Sequence, residues 1–374
     1  METHGPAAEG NCYDDRQMPE MMQCMPDSVA PGAGAQRPPG PGGAVKPQRI
    51  LVLGAGGFIG QRVVQALALC PWAAPVAAVH RHRAALPAAV ETVHLDARQP
   101  DSLRAALENV GGVVNCVTGD GETIRQSAHA LFSACAAPHA PRVVHLSSMM
   151  VYGTQTGTLD ESAPLLGDWD DYSRAKAHAE AIARACTRVV HLRPGIVYGP
   201  HSPIWSGWVG QWLMDQRLGD LGTHGQGRCN LVHIDDVVAA TLQALRAPGI
   251  EGQAFNLALP DAPTWNEYFR GYADALGIAC VPISGARLAI ERLVLAPPFK
   301  VLQVMAARLR PGWRAPQPIR PWLLRLCAHS VRLDVRKAER VLGLQWTPLE
   351  AGLRQSAAWV LAGAPARAAA AAGK

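Results

Sequence analysis

The residues best suited to chemistry are a tyrosine and a lysine in the stretch DYSRAKAHAE, namely Tyr172 and Lys176. On a helix their spacing places both side chains on one face, so the lysine ammonium can lie near the phenol and favour its ionised form. Upstream, the run VVHLSSMMVYG contains Ser147 and Ser148, whose hydroxyls can hydrogen-bond a substrate oxygen. Together these groups form a general acid/base set for hydride chemistry at a carbonyl or alcohol carbon.

A glycine-rich turn is the second chemical signal. In RILVLGAGGFIGQRVVQAL, Gly54, Gly57 and Gly60 recur every third residue where an apolar strand gives way to helical periodicity. Glycine lets the backbone turn sharply and lets a ligand approach its N–H groups, which favours a pyrophosphate site. The common dinucleotide fingerprint has glycine where Ile59 stands, so the motif alone is weak. A tight strand-to-helix turn without a ligand is the alternative.

The elements that position these groups follow from an alternation of strand-like and helix-like runs. After the glycine turn, the strand-like runs are 75–80, 92–96, 111–117, 141–148 and 188–194. Near-continuous apolar strands in this rhythm predict an α/β fold, a doubly wound parallel sheet of the Rossmann type. A smaller, mostly helical C-terminal substrate lobe is expected after it. In this context a glycine-rich first turn is far more often a dinucleotide site than a bare turn.

Composition predicts four regions along the 374 residues. The beginning is rich in Pro, Gly, Met and Ala without any period, and the end is rich in Ala. We expect a disordered leader at 1–46, an NAD(P)-binding domain at 47–200, a substrate lobe at 201–362 and a disordered tail at 363–374. Sheet elements should return within the lobe near 230–258. A true start downstream of Met1 is the alternative to a leader.

Charge and cysteine usage narrow the function classes. The 9 cysteines are scattered without a Cys-x-x-Cys pair, which predicts a reducing cytoplasmic location and no structural metal. The net charge of +5 is modest, and no basic run is interleaved with aromatics, so no nucleic-acid partner is expected. No transmembrane segment is expected. The late basic segment at 299–340 could contact an anionic membrane surface, but a helical subdomain with solvated arginines is the preferred interpretation.

The stretch VHIDDVV resembles a metal site only at first sight. His233, Asp235 and Asp236 have no third acidic ligand nearby, and an aspartate before an apolar helical run is usually its N-cap. We therefore expect a structural role and no metal.

The chain resembles the extended short-chain dehydrogenase/reductase family, the NAD-dependent epimerase/dehydratases. The resemblance rests on six motifs in order, GAGGFIG, LDA, SSMMVYG, YSRAK, RPGIVYGP and VHIDDVV, over roughly 49–259. It implies an enzyme with a small-molecule substrate and a homodimer through helices that include the Tyr172 helix. It also implies that Ser148, Tyr172 and Lys176 are catalytic.

The resemblance further implies a set of cofactor-binding residues. Asp96 should hydrogen-bond the adenine amine, Cys116 and Val117 should line the nicotinamide ribose, and the segment from Pro194 should close over the nicotinamide. The full expected set is Gly54, Gly57, Phe58, Ile59, Gly60, His80, Arg81, Asp96, Ala97, Cys116, Val117, Tyr172, Lys176, Pro194, Gly195 and Val197.

Departures from the family pattern concern the substrate. Members that act on nucleotide sugars usually have an asparagine where this chain has Ile196 and an arginine where it has Cys229. In those members both side chains help to hold the substrate diphosphate. Arg228 is adjacent but would point differently on a strand. We expect an oxidoreductase acting on a carbonyl or secondary alcohol of a fairly apolar, non-nucleotide substrate. The alternative is a nucleotide-sugar epimerase or dehydratase that recycles its cofactor.

Three tryptophans follow the sixth predicted strand. Trp205, Trp208 and Trp212 fall on one helical stripe where the substrate lobe should begin. Core packing and a substrate-binding wall are equally good interpretations of this stripe.

The expected cofactor is NADP, with NAD possible. An NAD site of this fold normally has a carboxylate after the second strand, but the chain has no acidic residue from Arg49 to Val90. His80 and Arg81 stand there instead, and a guanidinium suits a 2′-phosphate. Solvated loop residues with no contact to the ribose are the alternative.

Overall fold

The structure is a computed structural model and describes residues 46–80, 86–137, 139–290 and 321–363. Its strands in chain order are β1 (Gln48–Leu53), β2 (Ala73–Val79), β3 (Glu91–His94), β4 (Gly112–Asn115), β5 (Arg142–Leu146), β6 (Gly157–Leu159), β7 (Val189–Pro194), β8 (Ile196–Tyr198), β9 (Leu231–His233), β10 (Ala254–Leu257) and β11 (Val331–Leu333).

The helices of the described residues alternate with these strands. They are α1 (Phe58–Ala68), α2 (Pro100–Leu107), α3 (Gly121–Ala134), α4 (Asp171–Ala183), α5 (Val209–Met214), α6 (Ile234–Arg246), α7 (Trp265–Ala275), α8 (Gly285–Ile290), α9 (Pro321–Ala328), α10 (Arg336–Leu342) and α11 (Leu349–Leu361). Short 3₁₀ turns occur at Met149–Tyr152 and Gly222–Gly225, and a π-helical segment occurs at Pro203–Trp208.

Seven strands form one parallel sheet in the order β10-β7-β5-β4-β1-β2-β3. The order reverses direction at β1, so β1 and β4 flank the point where ligands bind in open α/β sheets. Leu53 at the end of β1 pairs with Ala78 of β2 and with Asn115 of β4, so the carboxyl ends of these strands share one edge. The predicted doubly wound parallel sheet is confirmed.

The sheet is buried on both faces because its side chains alternate. In β1, Ile50 and Val52 join the apolar cluster that includes residues of α1 and α6, whereas Leu51 and Leu53 join the cluster of α2, α3 and α4. This period of two explains why β1 has a continuous apolar sequence.

A second apolar core forms the smaller lobe, as expected. It gathers aromatic residues of α7, including Trp265, Phe269 and Tyr272, against Trp212 of α5 and residues of α9 and α11. Trp212 is 2% exposed, so this member of the tryptophan stripe is core. The lobe also contains the two-stranded pair β8–β9, whereas β10 returns to the main sheet. The proposed boundary near residue 200 stays a prediction.

Several expectations fall on residues outside the described ones. They are the leader before Lys46, the tail after Gly363, Arg81, and residues 299–320 of the basic segment. In the rest of that segment, Arg325 lies over the Trp169 ring and Arg336 pairs with Asp334. None of the helices that the structure describes has the length and apolar character needed to cross a bilayer.

Gly60 offers a test of how tightly the first turn packs. A Cβ at Gly60 would lie 2.2 Å from the carbonyl oxygen of Gly54, a backbone atom that cannot yield without moving the turn. We expect Gly60→Ala to lower the free energy of unfolding by about 1–3 kcal/mol, the usual cost of overpacking. Gly285→Ala is the control, since a Cβ there meets open space, and it should change stability by less than about 0.5 kcal/mol. Urea unfolding of both variants is the measurement, and equal stabilities would contradict this packing.

Candidate active site

The glycine turn connects β1 to α1 at the carboxyl edge of the sheet. Gly54 has a positive φ of 74°, and a Cβ there would lie 2.9 Å from the backbone of Cys116. Gly57 caps α1 with an extended backbone and no side-chain hydrogen bond. Gly54 and Gly60 are therefore required by packing within the protein. At Gly57 a Cβ would lie 3.3 Å from Gly54 O, a milder conflict. The expected phosphate role of the glycines stays a prediction.

A cavity of about 420 Å³ lies beside this turn, at the ends of β1, β2 and β4. Among the expected cofactor residues, it is lined by Gly54, Gly57, His80, Asp96, Ala97, Cys116 and Val117. A second cavity of about 580 Å³ adjoins it and shares Gly57, Cys116 and Val117 with it. Together the two cavities form a trough along the sheet edge, and this shape fits an extended dinucleotide that crosses the switch point of the strands.

Asp96 makes an ion pair in the first cavity that the sequence did not reveal. The Arg98 side chain donates from Nε to Asp96 Oδ1 at 2.9 Å and from Nη2 to Oδ2 at 2.6 Å. His80 Nε2 lies 3.6 Å from Asp96 Oδ2. These hydrogen bonds and charges hold the pKa of Asp96 at about 2. Arg98 lines the cavity too, and its Asp-x-Arg spacing was the available signal.

The second cavity brings together the three expected catalytic residues, Ser148, Tyr172 and Lys176. A capping box between Asp170 and Ser173 fixes the start of α4, so Tyr172 lies in its first turn. Lys176 follows one turn later, with Nζ 5.9 Å from the centre of the Tyr172 ring. Ser148 Oγ accepts a hydrogen bond from Met150 N at 3.2 Å, which leaves its own O–H to donate.

Burial dominates the electrostatics of this group. It raises the pKa of Tyr172, while the Ser148 side chain acts in the opposite direction. It also lowers the pKa of Lys176 to about 8. Lys176 Nζ donates to Leu146 O at 2.8 Å and to Val117 O at 3.4 Å. The net shift at Tyr172 is therefore opposite to the expected one, because desolvation outweighs any help from the lysine.

The remaining expected residues also line the second cavity. They are Phe58, Ile59, Gly60, Pro194, Gly195 and Val197. Gly195 joins β7 to β8, and a Cβ there would lie 2.1 Å from Asn230 O, so only glycine fits between these chains. Of the expected site, Arg81 alone lies outside the described residues.

A buried polar network joins α4 to β7 next to the site, and the sequence analysis did not predict it. Glu180 follows Lys176 by one turn on α4 and accepts a hydrogen bond from Ser147 Oγ at 2.5 Å. Arg193 of β7 pairs with Glu180 at 2.7 Å and donates to the Tyr152 hydroxyl at 2.9 Å. Ser147 thus belongs to this network, whereas Ser148 takes no part in these hydrogen bonds.

The two positions that depart from the family pattern are apolar in the structure as well. Ile196 lines the second cavity and is 6% exposed. Cys229 is fully buried in the lobe core, and burial raises its pKa. Arg228 is exposed and donates to Ala262 O at 3.1 Å. Neither Cys229 nor Arg228 lines the cavity.

Tryptophans form one wall of the second cavity. Trp205 lines it, which supports the binding-wall interpretation for this member of the stripe. Trp169 and Trp322 line it as well, and no sequence pattern predicts that they converge there.

The VHIDDVV stretch is structural, but its cap is a different residue. His233, rather than an aspartate, is the N-cap of α6, and it accepts a hydrogen bond from Asp235 N. The expected aspartate cap is therefore wrong. Asp235 pairs with Arg62, and Asp236 accepts hydrogen bonds from Thr347. Within residues 46–80, 86–137, 139–290 and 321–363, no group of His, Cys, Asp and Glu side chains has a metal-binding arrangement.

The sheet, the glycine turn and the Ser148–Tyr172–Lys176 group define a dinucleotide-dependent enzyme of the Rossmann class. The chain belongs to the NAD dependent epimerase/dehydratase family, whose model matches residues 50–258.

Curated proteins with similar sequences include a reductase. The 2'-dehydrokanamycin reductase of Streptomyces kanamyceticus is 29% identical over 258 residues, which cover 66% of this chain and 72% of that protein. Protein YeeZ of Escherichia coli is 28% identical over 162 residues, which cover 41% of this chain and 53% of that protein.

Among solved structures, MoeE5 in complex with UDP-glucose and NAD has a TM-score of 0.64 at 22% identity, covering 84% of this chain and 99% of that one. Human epimerase family protein SDR39U1 with NADPH has a TM-score of 0.60 at 22% identity, covering 83% and 99%. At these identities the structures show a shared fold.

The buried lysine predicts a pH dependence of stability. Its pKa falls from 10.5 to about 8 on folding, so between these values the unfolded chain binds a proton that the folded chain lacks. Stability therefore rises with pH in this window. We expect the free energy of unfolding of the unmutated protein to rise, relative to Lys176→Met, by about 1–2 kcal/mol between pH 7 and pH 9.5. Urea unfolding of both proteins at the two pH values measures it, and a constant difference would contradict a buried ammonium.

Proposed function

We propose that the protein is an NAD(P)-dependent oxidoreductase acting on a carbonyl or secondary alcohol of a fairly apolar, non-nucleotide substrate. The observation that carries this proposal is the replacement of both diphosphate anchors by buried apolar side chains. Ile196 faces the cavity and Cys229 lies in the core, so the described wall offers no cation where a nucleotide diphosphate would need one. Burying an unpaired diphosphate against such a wall is strongly unfavourable.

The chemistry follows from the protonation state of the site. The nicotinamide supplies or accepts the hydride when it is bound. In the reducing direction, Tyr172 gives its proton to the carbonyl oxygen, and the resulting phenolate regains a proton from solvent. A phenol whose pKa is raised by burial stays protonated at neutral pH, as this step requires. Ser148 donates a hydrogen bond to the same oxygen. Lys176 uses two of its three N–H groups on carbonyls and keeps one for a ribose hydroxyl.

A nucleotide-sugar epimerase or dehydratase is the second candidate, and it is favoured by the family and by the structures that contain UDP-sugars. The two functions differ in cofactor balance, because an epimerase returns its cofactor to the starting state within one turnover. Purified full-length protein is therefore mixed with NADPH or NADP⁺ and with panels of UDP-sugars, apolar ketones and apolar secondary alcohols. Steady loss or gain of nicotinamide fluorescence with the apolar panels supports the oxidoreductase. Conversion of UDP-sugars without net cofactor change overturns it.

Tyr172→Phe tests the proposed acid/base role. Removing one hydroxyl should lower turnover by about 10²–10⁴-fold while cofactor binding changes little, because proton transfer is lost and the ring is kept. Tyr198→Phe makes the same chemical change at a buried hydroxyl that has no hydrogen-bond partner within the described structure. That control should keep its activity. Steady-state kinetics and cofactor titration are the measurements, and an active Tyr172→Phe enzyme would overturn the assignment.

The proposed cofactor preference is for NADP, at about ten-fold or more. It is supported by the absence of an acid between Arg49 and Val90, and by Arg98, which pairs with Asp96 in the first cavity. A guanidinium paired with a phosphate contributes roughly 1.5–3 kcal/mol. Arg81→Ala should erase most of the preference and leave NAD affinity nearly unchanged.

The control for this experiment is Arg104→Ala, which removes an exposed arginine paired with Asp101 on α2. Titration of both cofactors into the three proteins decides the question. Equal affinities for NAD and NADP in the unmutated protein would show that Arg81 makes no contact with a 2′-phosphate.

Two further expectations remain proposals. One is a homodimer through helices that include α4, which a mass measurement in solution tests. The other is a cytoplasmic location.

A further inference from the structure

Three indole rings from distant parts of the chain meet at the second cavity. Trp169 lies just before α4, Trp205 lies in the π-helical segment, and Trp322 lies in the first turn of α9. All three are partly buried and line the cavity that also holds Ser148 and Tyr172. We call Trp169, Trp205 and Trp322 the indole wall.

Each ring of the indole wall is held in place by other side chains. The Arg325 guanidinium lies 4.1 Å from the centre of the Trp169 ring, and His329 packs at 4.8 Å against it. Trp205 packs at 5.6 Å against Trp265. Rings fixed in this way lose little conformational entropy when a ligand binds, so the site favours a ligand of matching shape over a flexible one.

Trp205 and Trp322 also fix each other. Their ring centres are 5.9 Å apart with an angle of 80° between the planes, so they form a corner. A corner of two aromatic faces gives a flat ligand one ring to stack on and a second ring to meet edge-on, the two favoured aromatic geometries.

The rest of the cavity offers little to a charged ligand. Among the described residues that line it, Asp170 is the one acidic side chain and Lys176 the one basic side chain. Lys176 already donates to two carbonyls, and Asp170 Oδ1 caps α4. Other lining side chains, such as Met149, Leu326 and Ile204, are apolar. The volume of about 580 Å³ falls within the range of pockets for drug-sized ligands.

We infer that the substrate presents a flat, rigid, apolar ring system to the indole wall, with its reacting carbonyl or hydroxyl turned toward Ser148 and Tyr172. The reacting carbonyl or hydroxyl in this inference rests on the proposed function. The shape of the rest of the substrate rests on the indole wall. The Trp side chains are then specificity-determining residues, and a ring ketone should bind better than an open-chain ketone of equal carbon number.

The test compares two ketones with twelve carbons each, 2-acetonaphthone and 2-dodecanone, bound to the NADP⁺-saturated full-length protein and measured by isothermal titration. The naphthyl ketone should bind at least ten-fold more tightly. Trp205→Leu and Trp322→Leu should each weaken it by ten-fold or more and change the open-chain ketone by less than three-fold. Trp205→Phe should restore most of the affinity, because it keeps an aromatic face.

Trp72→Leu is the matched control, because Trp72 lies under Arg246 away from the cavity, and it should leave both affinities unchanged. Melting temperatures of all variants separate loss of binding from loss of folding. Trp205→Leu loses its packing on Trp265 and could fail to fold for that reason. In that case Trp322→Leu provides the test of the indole wall.

The outcomes distinguish the two proposals. If the naphthyl ketone binds more tightly than 2-dodecanone and this difference needs the tryptophans, but neither ketone is turned over, the indole wall is supported and the proposed reaction is overturned. Turnover with equal affinity for both ketones would sustain the reaction and overturn the ring inference. Tighter binding of a polycationic amino sugar such as kanamycin than of either ketone would show that the indoles and Asp170 hold a cation instead.

Discussion

The buried ion pair between Arg193 and Glu180 joins the elements on which the site depends. Both side chains are at most 6% exposed, and the pair links β7 to the helix that carries Tyr172 and Lys176. Glu180 also accepts from Ser147, the neighbour of Ser148. Removing one member of such a pair leaves an uncompensated buried charge and typically costs about 3–5 kcal/mol. The relative placement of serine, tyrosine and lysine therefore depends on a salt bridge that touches none of them directly.

The same low-polarity surroundings determine how the site can work. Burial raises the pKa values of Tyr172 and Cys116 and lowers that of Lys176, so each group is shifted toward its neutral form. Among the described residues that line the second cavity, acidic and basic side chains are few, so hydrogen bonds there are strong and an unpaired ionic ligand is penalised. This environment supports the proposal of a neutral carbonyl substrate. The apolar wall and the protonated phenol thus point to the same kind of substrate.

Much of the fold could be predicted because it follows from local rules. The period-two burial of β1, the glycine spacing of the first turn and the tyrosine-to-lysine spacing of α4 are all properties of short segments. The strand runs were placed to within a few residues for the same reason. The predicted aspartate cap of α6 is wrong because the buried His233 side chain, rather than a carboxylate, accepts the hydrogen bond from Asp235 N at the start of the helix.

The sequence by itself determined the class of sheet, and residue types at fixed spacing predicted the acid/base residues that the structure brings to one cavity. Tertiary structure decided how those residues are held and what faces the ligand. Glu180, for example, meets Arg193 only because α4 packs on β7. Trp169, Trp205 and Trp322 are separated by dozens of residues, and no periodicity relates them. Contacts between distant segments depend on how whole elements pack, and that packing brings the three rings to one cavity.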